Sequence, residues 1–594
     1  MGKQRQGEVM SLYSLLEKTA AEQVAPAPVP PAAPAAAPPP VSAERIGAMK
    51  AGFNPKPHQV KATKKLLENN GKIIFAHGTG TGKTFSSIYG FETLRSQGKA
   101  SKAIVIVPAG LRTNFLTGGV TAFTDAKGNI AEQPDKVDPT ADYNIVSYET
   151  FRQDPQGIMQ RSGADTMIVD EVHKVRNEGA STYGALLAGR QFAKNFIGLS
   201  ASFINNKPEE IAPLLALSEN NPSLTRGEFK SRFVKNIGST QTFTGSERPL
   251  VGIRDPAAFA KAVYPKIDYI HVEDMVGAEM PKKKVTNVYV PMSADQYRLY
   301  QLALDELGPV SEYITRRDSN ISVGNDDRIF TQIGKARQLA NAVHTGRNDM
   351  TPEQSAQATP KVRHIIADTQ KHLAERPDNA VVLYSNLVHG GIDVLSAGLH
   401  KAGIEHALFI GKGTEVGDKT VTEGTRQEGV VDFKQGKRRV IVISGAGAEG
   451  LDLKNASAFY ALDGHFNPER VLQAEARARR MGGLAERPPA ERVVDVRRYQ
   501  SVIPNAARPG MLSGMLGYKA PRTTDEWMYD VAAKKYTTNK QYYDVMRKPN
   551  KYIRKETAPN GTIRYVYPEE VKQPTFYDKL TGSPEAQYKY EVPK

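Results

Sequence analysis

The sequence predicts an α/β protein built from two parallel-sheet units in tandem. Short apolar, β-rich runs alternate with helical patterns from about residue 51 to 235, and a second alternating set begins near Pro360. Strands that alternate with helices are typical of parallel sheets covered by helices on both faces. At 594 residues the chain is too long for one hydrophobic core. We therefore expect two α/β lobes with a cleft between them.

The predicted strands are short, almost continuously apolar runs, as strands buried on both faces require. In the first unit they are Ile73–Ala76, Ala103–Val107, Tyr143–Val146, Met167–Val169 and Phe196–Leu199. In the second unit they are Ala380–Tyr384, His406–Ile410, Arg439–Ser444, Ala458–Leu462 and Val493–Tyr499. Between the units lie a strand-like run, Lys284–Val290, and helical patterns around Ser293–Leu307 and Ile329–Val343.

These patterns divide the chain into six segments. They are a disordered tail with a short amphipathic helix (1–24), an Ala/Pro-rich linker (25–50), the first lobe (51–235), a linking region with helical insertions (236–355), the second lobe (356–505) and a basic, tyrosine-rich extension (506–594). Apolar residues at helical spacing place the tail helix at about 8–24, and the proline-rich linker would be extended. The tail fits either a tethered docking peptide or a disordered end with incidental helicity.

Composition narrows the class of protein. The net charge of +15 suits a polyanionic partner, most simply nucleic acid, although an ordinary basic surface gives the same balance. The absence of cysteine excludes disulfides and thiolate metal ligands. No run of about 18 apolar residues is present, and the N-terminus lacks a secretory pattern. We therefore expect a cytoplasmic protein that is not secreted and has no membrane partner.

A glycine-rich segment follows the first predicted strand and precedes a helix-favouring stretch, Phe85–Leu94. It reads His77-Gly78-Thr79-Gly80-Thr81-Gly82-Lys83-Thr84. A strand, a glycine-rich loop and a helix form a phosphate-binding loop, in which backbone N–H groups and the helix N-terminus attract phosphate oxygens. Lys83 would reach the β- and γ-phosphates of ATP, and Thr84 would hold Mg²⁺. His77 stands where the general pattern has its first glycine.

Paired acids end another strand of the first unit. Met167–Val169 leads directly into Asp170 and Glu171. This places both acids at the carboxyl edge of a buried strand, where open α/β sheets bind their ligands. With a phosphate loop in the same unit, Asp170 is predicted to hold Mg²⁺ through water and Glu171 to polarise the attacking water. The two motifs together predict nucleotide hydrolysis.

These motifs resemble those of superfamily 2 helicases and translocases, because Asp170-Glu171-Val172-His173 is a DExH box. Other segments match the family in order: Pro57-His58-Gln59, Ile104–Ala109, Leu199–Ser202, Ser444–Leu453 and Gln473–Gly482. The resemblance implies two RecA-like lobes with the nucleotide in the cleft between them. It implies that the nucleotide site includes Gln59, Gly450 and Asp452, with Gln59 reading adenine. The residues that it implies for coupling hydrolysis to movement are His173, Ser200, Ser202 and Gln473.

The last of these motifs lies in a helix-favouring segment. Gln473, Arg477 and Arg480 are spaced i, i+4 and i+7, which places them on one face of a helix. That face would present the two guanidinium groups across the cleft to the γ-phosphate. An arginine in such a position is worth roughly 10³–10⁵ in rate in other nucleotidases. We therefore predict that Arg477 and Arg480 are catalytic.

Within superfamily 2 the chain most resembles the Swi/Snf-type group of double-strand translocases. The segments that carry this likeness are Val169–Asn177, Met280–Lys284 with Met292–Tyr300, and Gln473–Gly482. Other segments are similar to poxvirus-type transcription ATPases, namely Leu199–Ile211, Pro488–Tyr499 and Asp525–Lys535. The resemblance covers about residues 51–550.

The Swi/Snf resemblance implies an ATP- and Mg²⁺-dependent translocase that tracks on double-stranded DNA and remodels or displaces bound proteins. Phosphate contacts carry no sequence information; candidates for them are Pro108–Thr113, Ser147-Tyr148 and the segment Ser444–Leu453. One alternative is a strand-separating DNA or RNA helicase. Another is a viral, phage-type transcription or virion-associated ATPase. That protein would dock on an RNA polymerase or virion component through residues 8–24 and act in the host cytoplasm or the virion.

The C-terminal segment interleaves basic residues with tyrosines: Tyr529, Tyr536, Tyr542, Tyr543, Arg547, Lys548, Lys551, Tyr552, Arg554 and Lys555. Such a pattern could neutralise phosphates and stack on unpaired bases. It also fits a helical appendage that packs its tyrosines on the second lobe.

Overall fold

The fold is known from a computed structural model, which describes residues 46–204, 207–241, 247–275, 280–315, 333–445, 451–504, 521–548, 554–557 and 563–566. The predicted tail helix at 8–24 and Gly450 lie outside these residues.

The first lobe is a parallel sheet flanked by helices. Its strands are β1 (Lys72–His77), β2 (Ala103–Val107), β3 (Gly128–Ile130), β4 (Tyr143–Ser147), β5 (Thr166–Val169), β6 (Asn195–Ser200) and β9 (Ile267–Ile270), and β7 (Val234–Gln241) and β8 (Glu247–Ile253) form a separate antiparallel pair. The sheet order is β3-β4-β2-β5-β6-β1-β9, and every neighbouring pair is parallel. The five strands predicted for this lobe are confirmed to within one residue at either end.

Helices of six residues or more cover both faces of this sheet. They are α1 (Pro57–Glu68), α2 (Lys83–Ser96), α3 (Tyr148–Gln153), α4 (Pro155–Ser162), α5 (Ser181–Arg190), α6 (Ile211–Glu219), α7 (Arg226–Phe233) and α8 (Pro256–Val263). Successive strand residues face opposite sides, so Ile73 and Phe75 join one apolar cluster and Ile74 joins the other. This division explains why the run Ile73–Ala76 within β1 is apolar without interruption.

The second lobe repeats this plan. Its strands are β10 (Lys282–Pro291), β11 (Val381–Ser385), β12 (His406–Phe409), β15 (Val440–Ser444), β16 (Ala458–Ala461) and β17 (Val493–Val502), with a small hairpin of β13 (Glu415–Val416) and β14 (Lys419–Thr420). The order is β10-β17-β16-β11-β15-β12, again all parallel. The strands predicted here are confirmed, and β17 extends three residues beyond its expected end.

The helices of the second half surround this sheet and link it to the first. They are α9 (Ala294–Asp305), α10 (Pro309–Thr315), α11 (Gly334–Asn341), α12 (Pro352–Ala358), α13 (Pro360–Glu375), α14 (Asp393–Lys401), α15 (Glu423–Lys434), α16 (Pro468–Ala478) and α17 (Thr524–Arg547), followed by a hairpin of β18 (Arg554–Thr557) and β19 (Ile563–Val566). None of the helices in the described ranges has the length and apolar character that crossing a bilayer requires.

The sheets extend beyond the lobe limits expected at 235 and 356. Strand β9 follows residue 235 and pairs with β1 from Ile74↔Ile267 to His77↔Ile270. Strand β10 precedes residue 356 and pairs with β17 over its whole length. Sequence reasoning missed β9 because a four-residue run interrupted by Asp268 lacks the continuous apolar pattern of a buried strand. Each sheet therefore gains an edge strand from the segment assigned to the linking region.

Helix α17 joins the two lobes. Near its start, Trp527 and Met528 are buried in a cluster with the second-half residue Val310. Near its end, Tyr542 and Tyr543 are buried in the core of the first lobe. The Tyr543 hydroxyl donates to the carbonyl of Ile204 at 2.8 Å. These two tyrosines are therefore packing residues and are unavailable for base stacking, but they pack on the first lobe rather than on the second.

Candidate active site

The carboxyl ends of three neighbouring strands form the centre of the site. The phosphate loop follows β1, the paired acids follow β5, and Ser200 ends β6, which lies between the other two. Chain segments that leave one edge of a parallel sheet converge there. The sheet order thus brings together motifs about 90 and 120 residues apart in sequence.

Two glycines shape the phosphate loop. Gly80 has φ +84° and Gly82 has φ +83°, in the left-handed region that residues with a Cβ rarely adopt. Gly82 is also the residue immediately before helix α2, and within the described residues no side chain caps that terminus. The Thr81 hydroxyl donates to the Gly78 carbonyl at 2.8 Å and closes the loop. The backbone N–H groups of Gly82, Lys83 and Thr84, at the first turn of α2, suit phosphate oxygens.

Lys83 lies between the loop and the acids. Its Nζ donates to the carbonyl of His77 at 3.0 Å. Burial lowers the pKa of Lys83, whereas the charges of Glu171 and Asp170 favour its ammonium form. A lysine held by one carbonyl and facing two carboxylates is placed to exchange that carbonyl for phosphate oxygens.

The predicted adenine motif packs against the loop. The Gln59 side chain is buried, and its Nε2 lies 2.8 Å from the position that a Cβ on Gly82 would occupy. Its Oε1 accepts the backbone N–H of Lys56 at 2.9 Å. His58 Nε2 lies 3.0 Å from the Thr81 carbonyl oxygen. The start of α1 is therefore attached to the loop, beside the place expected for the nucleotide.

The paired acids are held in a constrained turn. Glu171 has φ +52°, a left-handed conformation that costs energy for a residue with a Cβ and is enriched at functional sites. Its backbone N–H donates to Asp170 Oδ1 at 2.9 Å. The Tyr148 hydroxyl donates to the Asp170 carbonyl at 2.6 Å. The two carboxyl groups therefore lie apart. That of Asp170 lies beside the backbone, and that of Glu171 lies toward His173.

The two acids have opposite electrostatic environments. Burial and the neighbouring Glu171 charge raise the pKa of Asp170. Burial also opposes ionisation of Glu171, but His173 and then Lys83 and Arg477 outweigh it and lower the pKa of Glu171. Glu171 therefore remains a carboxylate, able to accept a proton, while Asp170 needs a nearby cation to ionise fully.

Three of the four predicted coupling residues meet beside Glu171. His173 Nδ1 lies 3.2 Å from Glu171 Oε2 and 3.1 Å from Ser200 Oγ. The Ser200 hydroxyl donates to the Ser202 carbonyl and accepts the Ser202 N–H at 3.2 Å. A continuous polar path thus joins Glu171 to the segment after β6. The fourth residue, Gln473, lies half-buried on α16 of the other lobe.

The arginines of the second lobe face the loop of the first. Arg480 Cγ lies 3.2 Å and its Cα 3.3 Å from the position of a Cβ on Gly80. Burial, followed by the charge of Arg477, lowers the pKa of Arg480 to about 10, so it stays cationic at neutral pH. The charges of both arginines also act on Lys83. The two lobes therefore meet at the phosphate loop.

The prediction that Gln473, Arg477 and Arg480 share one helical face is wrong for Arg480. Helix α16 ends at Ala478, so Arg480 lies outside it. The chain turns here because the buried Arg479 donates from Nε to the Pro281 carbonyl at 2.7 Å and Gly482 adopts φ +74°. Arg480 reaches the loop through its position in this turn.

Asp452 lies beside Arg480 at the same wall of the cleft. Its Oδ1 is 3.9 Å from Arg480 Nε, and its Oδ2 is 3.3 Å from Lys454 Nζ. Asp452 is thus placed to orient an arginine of the site. Whether it also contacts nucleotide stays a prediction.

A buried ion pair that sequence reasoning missed fixes helix α16. Glu475 lies 3.0 Å from Lys283 Nζ of β10 and 3.0 Å from Arg498 Nη2 of β17. Burial opposes the charge on Glu475, but Lys283 and Arg498 outweigh it and lower its pKa to about 2. Because α16 also carries Arg477, these bonds orient an arginine of the site. The signal in the sequence was an acid flanked by the alanines of an otherwise buried helix face.

The Glu475 pair predicts a pH-dependent contribution to stability. Its pKa in the folded chain lies below the ordinary value of 4.5, so its contribution is complete above pH 4.5 and is lost as pH falls toward 2. Glu475→Gln should cost about 3 kcal/mol of unfolding free energy at pH 7, because the buried Arg498 and the half-buried Lys283 lose this carboxylate. Denaturant unfolding at several pH values should show the cost shrinking below pH 4.5. The exposed Glu486→Gln should cost little; an equal or pH-independent cost would contradict the assignment.

A cleft of about 350 Å³ lies at the same edge of the first lobe. It is lined by Pro108, Ala109, Gly110, Tyr148, Glu149, Lys174 and Thr182. Parts of the two predicted phosphate-contact segments, Pro108–Gly110 and Tyr148, thus line one cleft, and Lys174 adds a cation to it. The segment Ser444–Leu453 is described only in part.

A phosphate loop and paired acids in one parallel-sheet lobe, facing arginines of a second, define an ATP hydrolase of the helicase type. Residues 58–345 match the SNF2-related domain, and residues 365–482 match the helicase conserved C-terminal domain. The chain belongs to the Swi/Snf-like group of superfamily 2 ATP-dependent helicases and translocases.

Similar proteins come from viruses, bacteria and eukaryotes. A protein of Acanthamoeba polyphaga mimivirus, named as a candidate ATP-dependent RNA helicase, is 25% identical over 460 residues, which are 76% of this chain and 90% of that protein. An uncharacterised ATP-dependent helicase of Bacillus subtilis is 24% identical, over 72% of this chain and 73% of that protein. The chromodomain-helicase-DNA-binding protein 1-like of Danio rerio is 24% identical, over 72% of this chain and 40% of that protein. Among solved structures, the Sulfolobus solfataricus SWI2/SNF2 ATPase core in complex with dsDNA has 16% identity and a TM-score of 0.35, over 85% of this chain and 97% of that one.

Proposed function

We propose that this chain uses ATP hydrolysis to move along double-stranded DNA and to remodel or displace proteins bound there. The observation that carries the proposal is the close approach of Arg480 to Gly80. This contact supports a nucleotide cleft with the phosphate loop on one wall and Arg480 on the other. A nucleotide held between the walls couples their separation to its hydrolysis, which is what a two-lobed motor requires.

The side chains of the cleft divide the chemical work. The backbone N–H groups of Gly82, Lys83 and Thr84 and the Lys83 ammonium hold the phosphates. Glu171, kept ionised beside His173, accepts a proton from the attacking water. Arg477 and Arg480 stabilise charge that develops on the γ-phosphate.

The site also has oxygen ligands that fit Mg²⁺. The Thr84 hydroxyl and the Asp170 carboxylate are hard oxygen ligands of the kind that Mg²⁺ prefers. Ionisation of Asp170, whose pKa burial raises, is favoured by such a cation. Mg²⁺ bound there would neutralise part of the phosphate charge. We infer that Thr84 and Asp170 hold it.

Movement is transmitted through two contacts of the segment after β6. Ser200 and Ser202 connect this segment to His173 at the hydrolytic acids. Two residues further on, Ile204 bonds Tyr543 of helix α17, which begins in the second half of the chain. A change at Glu171 can therefore reach the other lobe through packed, hydrogen-bonded groups.

The cleft beside Lys174 supports a nucleic-acid partner. Its lining includes Ala109, Gly110 and Lys174 beside Glu149, and the Lys174 ammonium suits phosphate groups without sequence preference. The net charge of +15 acts in the same direction. One relative also has DNA binding in its name. Double-stranded DNA is the simplest substrate for a chain of this group.

The mimivirus relative favours a second candidate, strand separation on RNA, because its name is that of an RNA helicase. The same viral relative is also consistent with a further alternative, a viral transcription or virion-associated ATPase that acts in the host cytoplasm or the virion. That protein would bind an RNA polymerase or virion component through residues 8–24. Pull-down of such partners with and without residues 1–40 tests this docking directly.

The choice of polymer is tested by ATPase rates measured in parallel with no polymer, single strands, duplex DNA and RNA. The proposal predicts the largest stimulation by duplex DNA, displacement of a triplex-forming strand and no unwinding of a forked duplex. Stimulation should fall steeply between low and moderate salt, because phosphate contacts release counterions. Unwinding without triplex displacement, or a preference for RNA, would instead support the second candidate.

Lys83→Ala should weaken ATP binding about a hundredfold and abolish measurable turnover, because it removes the cation that faces the β- and γ-phosphates. Binding of a fluorescent ATP analogue and steady-state ATPase rates would measure both effects. Lys99→Ala removes an exposed lysine of the same lobe and should change neither. Wild-type turnover in Lys83→Ala would refute the proposed site.

A further inference from the structure

His77 occupies the first position of the phosphate loop, yet its side chain is turned away from the cradle and is fully buried. Its ring packs 5.2 Å from that of Phe75, centroid to centroid. Its Nε2 lies 2.8 Å from Asp268 Oδ2. Burial lowers the pKa of His77, so the ring is neutral at neutral pH. Because a carboxylate only accepts, Nε2 must carry the proton that His77 donates.

Asp268 is held as a carboxylate in this buried position. Its Oδ1 lies 3.5 Å from Lys65 Nζ, and Lys65 also donates to the carbonyl of Ile267 at 2.8 Å. Burial opposes the charge, but Lys65 and the hydrogen bond from His77 outweigh it and hold the pKa of Asp268 well below its usual range. The three side chains therefore form a closed, buried cluster that joins α1, β9 and the loop.

The main chain ties His77 to the same strand. His77 pairs with Ile270 in the parallel register of β1 and β9, and the Gly78 N–H donates to the Ile270 carbonyl at 2.9 Å. The carbonyl of His77 is also the group that accepts from Lys83 Nζ. The position of the His77 peptide thus determines where the loop begins and where Lys83 rests.

We propose that His77 and Asp268 are positioning residues of the ATP site. Asp268 on β9 fixes the neutral His77 ring, and the ring fixes the first peptide of the loop, so that Lys83 and the loop N–H groups are arranged before phosphate arrives. Neither side chain belongs to the set that faces the phosphates. The inference rests on the proposed function, because it assumes that the loop binds ATP.

Removal of the ring should weaken ATP binding and leave the chemical step intact. In His77→Ala, the Kd and KM for ATP should rise about tenfold, as expected when a hydrogen bond to a buried charge is lost. The kcat should change less than about twofold, because neither residue of the pair is expected to touch the attacking water or the γ-phosphate. His77→Gln should restore near-normal binding, since its side-chain N–H can donate to Asp268 in place of Nε2.

A double-mutant cycle shows whether the pair acts as a unit. Asp268→Asn should raise the ATP Kd on its own but add little in the His77→Ala background. Asp142→Asn is the matched control, because it removes the carboxylate that lies 2.7 Å from Arg95 near the opposite edge of the same sheet. This control should change thermal stability without changing ATP affinity.

Three results would overturn the inference. They are an ATP Kd for His77→Ala within twofold of wild type, an equal loss in Asp142→Asn, and a His77→Gln variant as impaired as His77→Ala. Lys83→Ala in the same assay separates this inference from the proposed function. If Lys83→Ala binds ATP normally, the loop is not the ATP site and both fail. If only His77→Ala binds normally, the positioning role alone fails.

Discussion

Glu171→Gln should lower ATP hydrolysis about 10³-fold while ATP binding stays within about twofold of wild type. The substitution keeps the size of the side chain and its ability to accept from His173, but it removes the basic oxygen that takes a proton from water. The lowered pKa of Glu171 keeps the wild-type group ionised at neutral pH, as a proton acceptor must be. Single-turnover hydrolysis and binding of a fluorescent ATP analogue would measure the two quantities separately.

The matched control is Glu178→Gln, which makes the same change seven residues further along the lobe. Glu178 accepts the backbone N–H of Arg226 at 2.7 Å, and glutamine can still do so. Its turnover should be close to wild type. If Glu171→Gln turns over normally, or loses ATP binding together with hydrolysis, Glu171 is not the general base.

Arg477→Gln should lower ATP hydrolysis about 10³-fold or more, the range measured when an arginine that stabilises phosphoryl-transfer charge is removed. The Arg477 side chain is 8% exposed, and its charge acts on both Lys83 and Glu171. Its contribution grows as charge develops in the transition state, so ATP affinity should change only severalfold. Arg477→Lys should not restore the rate, because an ammonium lacks the planar fork of donors.

Arg470→Ala provides the control for this substitution, because Arg470 lies on the same helix α16 but is exposed. Its ATPase rate should be unchanged. Thermal unfolding of both variants would show whether α16 remains packed. A normal rate in Arg477→Gln would mean that the second lobe takes no direct part in hydrolysis, and the two-lobed mechanism would have to be abandoned.

Strands β1 and β9 of the first lobe illustrate what sequence patterns can locate. Strand β1 was predicted from its unbroken apolar run, and the structure adds one residue at each end. Strand β9 was not predicted, because Asp268 interrupts a run of only four residues. The acid is tolerated there because Lys65 and His77 satisfy it, and those partners lie 203 and 191 residues away. A periodicity argument sees only neighbours and has no access to such pairs.

The arginines illustrate the same limit in the site. Spacing alone put Gln473, Arg477 and Arg480 on one helix, but the helix ends at Ala478. The turn that follows depends on Arg479 bonding the carbonyl of Pro281, 198 residues earlier. The motif therefore predicts that arginines contribute to the site. It does not predict the turn through which Arg480 reaches the loop.

Helix α17 shows a third case. Its basic residues and tyrosines fit either stacking on nucleobases or packing against the protein. The sequence of one helix does not show which surface packs on it. The hydrogen bonds of Tyr542 and Tyr543 to the first lobe show that these two residues pack against it. Only the relative placement of the lobes revealed that one helix contributes to both cores.

The sequence by itself determined the two α/β lobes and the chemical groups at the ends of their strands. Apolar runs specify buried strands locally, and Gly80, Gly82, Lys83, Asp170 and Glu171 follow those strands directly. The tertiary structure alone decided how these groups meet: that β6 lies between the loop and the acids, that Arg480 faces Gly80, and that Asp268 anchors His77. The physical reason is that hydrogen bonds and ion pairs form between neighbours in space, and sheet order, not sequence spacing, sets those neighbours.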